Sequence, residues 1–381
     1  MTFAMAVLFL RKYVMINKLG FGFLRLPKKL NGFDWNTVCD MVDAFMDGGG
    51  KLFDTCYTYL NGMSEYAIRK CVVERKPRDS YQLCEKLPGY LFKSHTDCQI
   101  YFNEVLARCG VEWFDVLMLH WLNYENYEIA KKFDEFRFLL EKKAEGKAVR
   151  IGFSFHGDAV LLDKILTNHP EVDIVLIQMN YLDWESEGIQ SRKCYETCLR
   201  HGKSVMVMEP VKGGTLASIP DEAAIKLRVI HPDWTPADWA LRFVQSLPGV
   251  EICLSGMDAV EQVRANIRPF KPLSAEETAL LTEAAEIIRG KTAIGCTGCG
   301  YCASHCPKQI PIPKYIKLYN EITRDPGDNW KIVPAYRRIA SSASKASDCI
   351  SCHSCENHCP QQLMIAEHMK TISRRFEPSE D

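Results

Sequence analysis

The 381-residue sequence has almost no net charge, with 47 lysines and arginines against 48 aspartates and glutamates. That balance leaves no basic footprint for nucleic acid or an anionic membrane, so neither is expected as a partner. Long hydrophobic runs are also missing. The most membrane-like stretch, Ala4 to Leu10, is too short to cross a bilayer. No basic segment precedes it, and Arg11-Lys12 follows where a small-residue cleavage site belongs, which argues against a secretory leader. Two readings of this stretch stay open: residues ahead of a true start at Met15, or a short apolar strand capping the fold. The expected compartment is the cytoplasm. Low-complexity tracts are absent, and 47% hydrophobic residues are ample for a core, so global disorder is excluded. Cysteine is not scarce. Seventeen of them, an odd number in a long chain, do not suit a small secreted disulfide scaffold.

From about residue 16 to 270, short apolar runs alternate with amphipathic helical stretches. The runs fall at 18–23, 51–55, 81–86, 114–120, 149–154, 174–180, 204–209 and 250–255. Strands this short and apolar, buried on both faces, suit a parallel sheet. Helical patterns lie between them at 37–46, 98–109, 129–145, 160–167, 191–201 and 237–245. Eight such units in about 255 residues match the size of a (β/α)₈ TIM barrel, the expected α/β fold. A doubly wound open sheet is the alternative. It would carry a glycine-rich dinucleotide turn after the first strand, and Gly20-Phe-Gly-Phe-Leu-Arg25 lacks the third glycine. The expected organisation is an N-terminal extension (1–15), the barrel (16–289), a cysteine-rich domain (290–373) and a polar tail (374–381).

The cysteine-rich domain repeats one pattern. Cys296, Cys299, Cys302 and Cys306-Pro307 are matched by Cys349, Cys352, Cys355 and Cys359-Pro360. This is the bacterial ligand run for two [4Fe–4S] clusters, in which the fourth cysteine serves the other cluster. One cluster is therefore expected on Cys296, Cys299, Cys302 and Cys359, the other on Cys349, Cys352, Cys355 and Cys306. Zinc is the competing reading, but a third cysteine two residues on is redundant for a tetrahedral ion. The 42 residues between Cys306 and Cys349 include a helical stretch at 313–322, so a mainly α-helical ferredoxin-like domain is expected. The other nine cysteines read mostly as small core residues. Cys194 and Cys198 are one helical turn apart without further ligands, and Cys39, Cys71, Cys84, Cys109 and Cys253 fall in helical or strand patterns. Cys56 stands apart because it lies beside the site considered next.

Barrel chemistry sits at the C-terminal strand ends. Asp54 ends the second strand, Lys86 the third and His120 the fourth, with Tyr59 five residues beyond Asp54. Each has a bland alternative as cap, solvated charge, core imidazole or packed ring. Their occurrence on consecutive strand ends is harder to dismiss. Phe53-Asp-Thr-Cys-Tyr-Thr-Tyr59 through Glu65 resembles the aldo/keto reductase signature. Glu85-Lys86-Leu-Pro is similar to that family's lysine strand, and Asp115 to Trp121 to its histidine strand. Ile151-Gly-Phe-Ser-Phe155, Gln178-Met-Asn-Tyr181 and Leu254 to Asn266 resemble its cofactor-binding segments. With the cysteine domain attached, the chain resembles the iron–sulfur branch of the family.

The resemblance implies hydride transfer between a carbonyl and an alcohol, with Tyr59 as general acid/base. Lys86 is expected to lower the Tyr59 pKa, Asp54 to hold the ammonium, and His120 to orient the carbonyl. Ser154, Gln178 and Asn180 would meet the nicotinamide; Gly256, Asp258, Gln262 and Asn266 the adenosine. Asp258 replaces the basic residue expected beside a 2′-phosphate, which favours NAD(H) over NADP(H), although Arg264 and Arg268 are close in sequence. A flavin has no motif here. Trp121, Phe155 and Trp184 are candidates for an apolar substrate wall. Clusters pass single electrons whereas nicotinamides move hydride pairs, so the clusters' role is open, and an electron-carrier protein is a possible partner. Two alternatives remain: an electron-transfer protein or a redox or iron sensor, each using the barrel as a docking scaffold.

Overall fold

In the computed structural model the described residues are 18–29, 32–269, 271–324 and 329–377. The run Ala4–Leu10, the candidate start Met15 and the last four residues of the polar tail lie outside them. Eight parallel strands close into a barrel: β1 (Leu19–Gly22), β2 (Leu52–Asp54), β3 (Gln82–Leu87), β4 (Phe114–Leu122), β5 (Ala148–Phe155), β6 (Ile174–Gln178), β7 (Ser204–Met208) and β8 (Val250–Gly256). Each pairs with its successor and β8 returns to β1, so the open doubly wound sheet is excluded. Alternate residues from the strands, among them Leu52, Cys84, Met118, Leu176, Met206 and Ile252, pack into one buried cluster inside the barrel. Gly152 in β5 is required by close approach, since a Cβ there would lie 2.1 Å from the Ile174 carbonyl oxygen.

The intervening helices start where short polar side chains catch the first free N–H groups. Asp34 caps Trp35–Asp47, Asp158 caps Ala159–Asn168, and Ser94 with Asp97 forms a capping box on His95–Cys109. One sequence expectation is corrected. The stretch 129–145 is not one helix but two, Tyr124–Lys132 and Glu135–Ala144, broken at Asp134 with φ = 53°. Aspartate tolerates that left-handed conformation, and apolar periodicity runs through the break without marking it.

The chain divides into two compact units. The first holds residues up to Ser186, Gln190–Val211 and Ala237–Ser274; the second holds Glu187–Ile189, Lys212–Pro236 and Ala275–Asp381. The helix Ala275–Lys291 thus groups with the second unit, and a cut at Gly290 falls near its end. It packs beside the helix Asp221–Arg228, with ion pairs Lys226–Glu283 (2.5 Å) and Lys291–Glu222 (2.7 Å).

The cysteine-rich part of that unit is helical. Helices Ile312–Arg324, Asn329–Ala340 and Ile365–Phe376 enclose a core of Tyr315, Ile316, Ile332, Tyr336, Met369 and Ile372. Tyr336 stacks on Phe376 with centroids 4.6 Å apart. The expected mainly α-helical form is the one observed. Among the described residues no helix is long and apolar enough to cross a membrane.

Candidate active site

The strand-end residues converge because each continues an inward-facing row of period two. Leu52 leads to Asp54, Cys84 to Lys86, and Val116 and Met118 to His120. Asp54, Lys86 and His120 are only 3%, 0% and 5% exposed, so the Asp54 and Lys86 charges must be met by one another rather than by water. The Lys86 Nζ donates to Asp54 Oδ1 at 2.5 Å and to the Thr55 carbonyl at 2.8 Å. Tyr59 opens the turn Tyr59–Gly62 after β2, and the Lys86 Nζ lies 4.9 Å from its ring centroid. Tyr59 and His120 meet edge to face at 5.8 Å. All four expected residues are therefore brought together.

Burial works against the Lys86 ammonium most strongly, but Asp54 together with Cys84 and Cys56 outweighs it and holds the pKa above the ordinary lysine value. Burial also pushes the Asp54 carboxyl up while Lys86 pulls it down. The short contact between them is that of a charge-assisted pair, and we read it as ammonium and carboxylate.

Tyr59 departs from expectation. Its phenol is pushed well above the usual value, first by desolvation and then by the Asp54 charge, not lowered by Lys86. The reason is that the Lys86 charge is neutralised by Asp54 at contact distance. A buried phenol gains little from a compensated cation. Tyr59 is thus a fully protonated donor at neutral pH.

His120 is held well below its usual value by burial and by Lys86, so the imidazole is neutral. Its Nδ1 faces Cys56 Sγ at 3.1 Å and the Tyr90 hydroxyl at 3.5 Å. Burial pushes the Cys56 thiol up to about 12, keeping it protonated beside the ring. Strand β4 also bulges here. Its register with β5 shifts between Leu119 and Leu122, and Trp121 takes φ = 62°. The Trp121 N–H donates to Ser154 Oγ at 2.7 Å, pinning the bulge.

The residues expected on the dinucleotide side form two groups. At the β6 end, Gln178 Nε2 and Asn180 Nδ2 both donate to Asp183 Oδ2, at 3.3 and 2.9 Å, and Asn180 also reaches the Glu209 carbonyl. At the β8 end, Asp258 and Gln262 are exposed and bonded to each other. The Asp258 N–H donates to Gln262 Oε1 (3.0 Å) and Gln262 Nε2 to Asp258 Oδ1 (2.7 Å). Asn266 donates to Ser255 Oγ at 3.3 Å. A Cβ on Gly256 would meet the Arg25 Cδ at 3.2 Å. Of the three candidate wall residues, Trp121 stands against His120, Tyr90 and His156. Phe155 packs on Phe153, and Trp184 on Phe243 and Tyr195.

Sequence reasoning missed Tyr90, Arg25 and Asp183. Tyr90 follows Lys86-Leu-Pro-Gly, a turn signal that places the next side chain over the strand end. Arg25, three residues past β1, pairs loosely with Glu209 at 4.0 Å. Asp183 carried no signal. Elsewhere, Glu65, Glu85 and Cys109 bring ligand atoms within 4.8 Å of one another, and Arg108 compensates Glu65 at 3.0 Å.

In the second unit, the cysteines sort by proximity. Cys302 lies in electrostatic reach of Cys299, Cys296 and Cys359, and also of Cys355 in the other set, and Cys296 of Cys299 and Cys359. Cys306, Cys349, Cys352 and Cys355 line one cavity with Pro307 and Ile365. Four thiols around one cavity are the donor set of a cubane cluster. The turn Lys212–Ala217 closes on the first cysteine loop, where a Cβ on Gly213 would lie 2.2 Å from the Thr297 carbonyl.

Residues 18–286 match the model of the aldo/keto reductase family, and residues 295–364 that of a 4Fe-4S dicluster domain. Among curated proteins, the chain is 26% identical over 306 residues to an NADH-specific methylglyoxal reductase of Escherichia coli, covering 67% of this chain and 91% of that one. It is 22% identical over 270 residues to a probable aryl-alcohol dehydrogenase of Saccharomyces cerevisiae, covering 60% and 81%. Among solved structures, an aldo-keto reductase from Bacillus halodurans in holo form aligns with TM-score 0.57 at 22% identity over 71% of this chain and 92% of that one. One from Klebsiella pneumoniae in complex with NADPH aligns with TM-score 0.56 at 20% identity over 70% and 90%. With the barrel, the strand-end residues and the family match over 269 residues in agreement, the chain belongs to the aldo/keto reductase family, as an oxidoreductase that also carries a 4Fe-4S dicluster domain.

Proposed function

We propose that this oxidoreductase reduces a small carbonyl compound at the Asp54–Lys86–Tyr59–His120 site, with Tyr59 as proton donor. The gathering of these four side chains around one buried ion pair carries the reading. When bound, a nicotinamide supplies the hydride there, and two [4Fe–4S] clusters supply or accept single electrons. Tyr59 protonates the carbonyl oxygen, and its phenol is already protonated for that step. The neutral His120 donates a hydrogen bond that orients the same oxygen. Asp54 and Lys86 stay fixed as an ion pair beside the Tyr59 ring, so the pair holds the ring in place rather than lowering the phenol's pKa. Ser154, Gln178 and Asn180 are the residues for the nicotinamide side; Gly256, Asp258, Gln262 and Asn266 for the adenosine side. The cluster ligands are Cys296, Cys299, Cys302 and Cys359 for one site and Cys306, Cys349, Cys352 and Cys355 for the other.

The test is an anaerobic assay of cluster-loaded protein with NADH or NADPH and two carbonyl classes, a small ketoaldehyde such as methylglyoxal and an aromatic aldehyde. Both classes are suggested by the relatives' names. Carbonyl-dependent oxidation of a nicotinamide is the expected result. Failure of every carbonyl and every corresponding alcohol to turn over removes the proposal.

Cofactor choice follows from Asp258. Its carboxylate repels a 2′-phosphate and can accept from a ribose hydroxyl, so NADH is expected to bind more tightly than NADPH. Asp258→Arg is expected to shift the ratio of dissociation constants toward NADPH by about tenfold or more, roughly 1.4 kcal/mol. Fluorescence titration of the wild type decides the matter. Tighter NADPH binding means that Arg25, Arg264 or Arg268 meets the phosphate instead.

Cys56 has a smaller effect. The contact with Nδ1 fixes which imidazole nitrogen carries the outward proton. Cys56→Ala is expected to lower kcat about fivefold, the worth of one hydrogen bond near 1 kcal/mol, with KM little changed. An unchanged kcat in a folded variant removes the thiol from that role.

A further inference from the structure

Away from the strand ends, two cysteines on neighbouring helical segments meet. Cys39 lies on the flank of the helix Trp35–Asp47, whose buried face is Val38, Met41, Val42 and Phe45. Cys71 lies in a π-helical turn, Arg69–Val73, that continues the helix Met63–Ile68. The π turn is wider than an α-helical one, and it packs against the first helix with Cys71 buried. Their sulfurs are 2.7 Å apart, well inside the roughly 3.5–4 Å of ordinary nonbonded contact.

Several ties hold the two segments in register. Arg75 Nη2 donates to Asp43 at 2.6 Å, and Lys76 pairs with the same carboxylate at 2.7 Å. Lys70 sits over the Trp35 ring at 4.6 Å. Arg75 Nη1 also reaches the Cys39 and Cys71 carbonyls, at 3.4 and 3.1 Å. The sulfurs therefore stay together by geometry rather than by chance encounter.

We propose that Cys39 and Cys71 are a modification site, a dithiol that small-molecule disulfides oxidise to an intramolecular disulfide. Cys39 is half-buried and open to attack, whereas Cys71 is buried behind it. That asymmetry assigns the order of events. The Cys39 thiolate attacks the S–S bond of the oxidant and displaces one thiol, leaving a mixed disulfide on Cys39. The Cys71 sulfur then attacks Cys39 Sγ and releases the second thiol. Two S–H bonds are lost and one S–S bond forms; two electrons and two protons leave with the oxidant, which becomes two thiols. Burial and the adjacent Cys39 push the Cys71 thiol up, while the nearby Arg75 and Lys70 cations pull against that rise. The positions are 32 apart, and the closed loop contains Asp54 and Tyr59. This site does not depend on the reductase reading.

The experiment exposes the full, cluster-loaded chain to glutathione disulfide under anaerobic conditions, then alkylates the remaining thiols and maps peptides by mass spectrometry. The expected product is one bridged pair, Cys39 with Cys71, lighter by two hydrogens than the reduced peptides. Alkylation of both should fall together, at least about tenfold faster than at Cys194 and Cys198, which lie buried one helical turn apart. In Cys71→Ser, glutathione should remain attached to Cys39 with no bridge. The proposal is overturned if Cys39 and Cys71 of the wild type stay as alkylatable as before, or if Cys39 pairs with another cysteine. Because the wild type supplies the deciding map, a variant that folds poorly does not remove the test.

Discussion

Tyr59→Phe lowers carbonyl reduction by about 10²- to 10⁴-fold in kcat, with KM changed far less, if Tyr59 is the proton donor we propose. The substitution removes one oxygen and leaves the ring that Lys86 and His120 face, so packing at the site should survive. The carbonyl oxygen acquires its proton as the hydride arrives, and a phenyl ring has none to give. The loss therefore falls on the transition state rather than on binding. Steady-state kinetics on a verified substrate settle it, and a variant that keeps wild-type turnover would falsify the assignment.

The pH dependence adds a second readout. Tyr59 is pushed well above its usual value, and His120 well below its own. Neither changes charge as the pH moves from about 6.5 to about 9, so reduction should be flat there. Alcohol oxidation needs the phenolate and should rise with pH across the same range. An inflection near pH 6.5 that disappears in His120→Gln would show that the imidazole titrates and the burial argument is wrong.

Paired cysteine substitutions are expected to separate the two cluster sites by iron content. If Cys306 serves the site of Cys349, Cys352 and Cys355, then Cys306→Ala with Cys352→Ala damages one site only. About four irons should remain, as one [4Fe–4S] cluster requires. Cys306→Ala with Cys299→Ala damages both sites and should leave roughly none. An uncrossed arrangement gives the reverse. Iron and acid-labile sulfide analysis of anaerobically purified protein reads the difference, and the wild type should carry about eight of each. Stoichiometric zinc without sulfide would discard clusters altogether. Cluster loss should also loosen the second unit, since Cys302 and Cys355 are part of its hydrophobic core.

What can be read directly from the chain is what local rules govern. Eight short apolar runs with helical patterns between them specify a parallel α/β sheet buried on both faces, and their number and spacing favour a barrel, while closure itself rests on the pairing of β8 with β1. Period-two alternation places Asp54, Lys86 and His120 inward at their strand ends from the sequence alone. The cysteine runs are equally local, since liganding depends on gaps of two and three residues.

Tertiary structure decides whatever depends on distant neighbours. Cys56 meets His120 across 64 positions, and no spacing rule joins them. Cys39 and Cys71 each read as core thiols within their own segments; only the packing of the π turn on the first helix makes them a pair. The break at Asp134 is silent because apolar periodicity carries through it. Tyr59 shows the limit most clearly. The residues beside it suggest a lowered pKa, yet desolvation sums over everything that encloses the ring, and Asp54 cancels at close range the cation that would have lowered it.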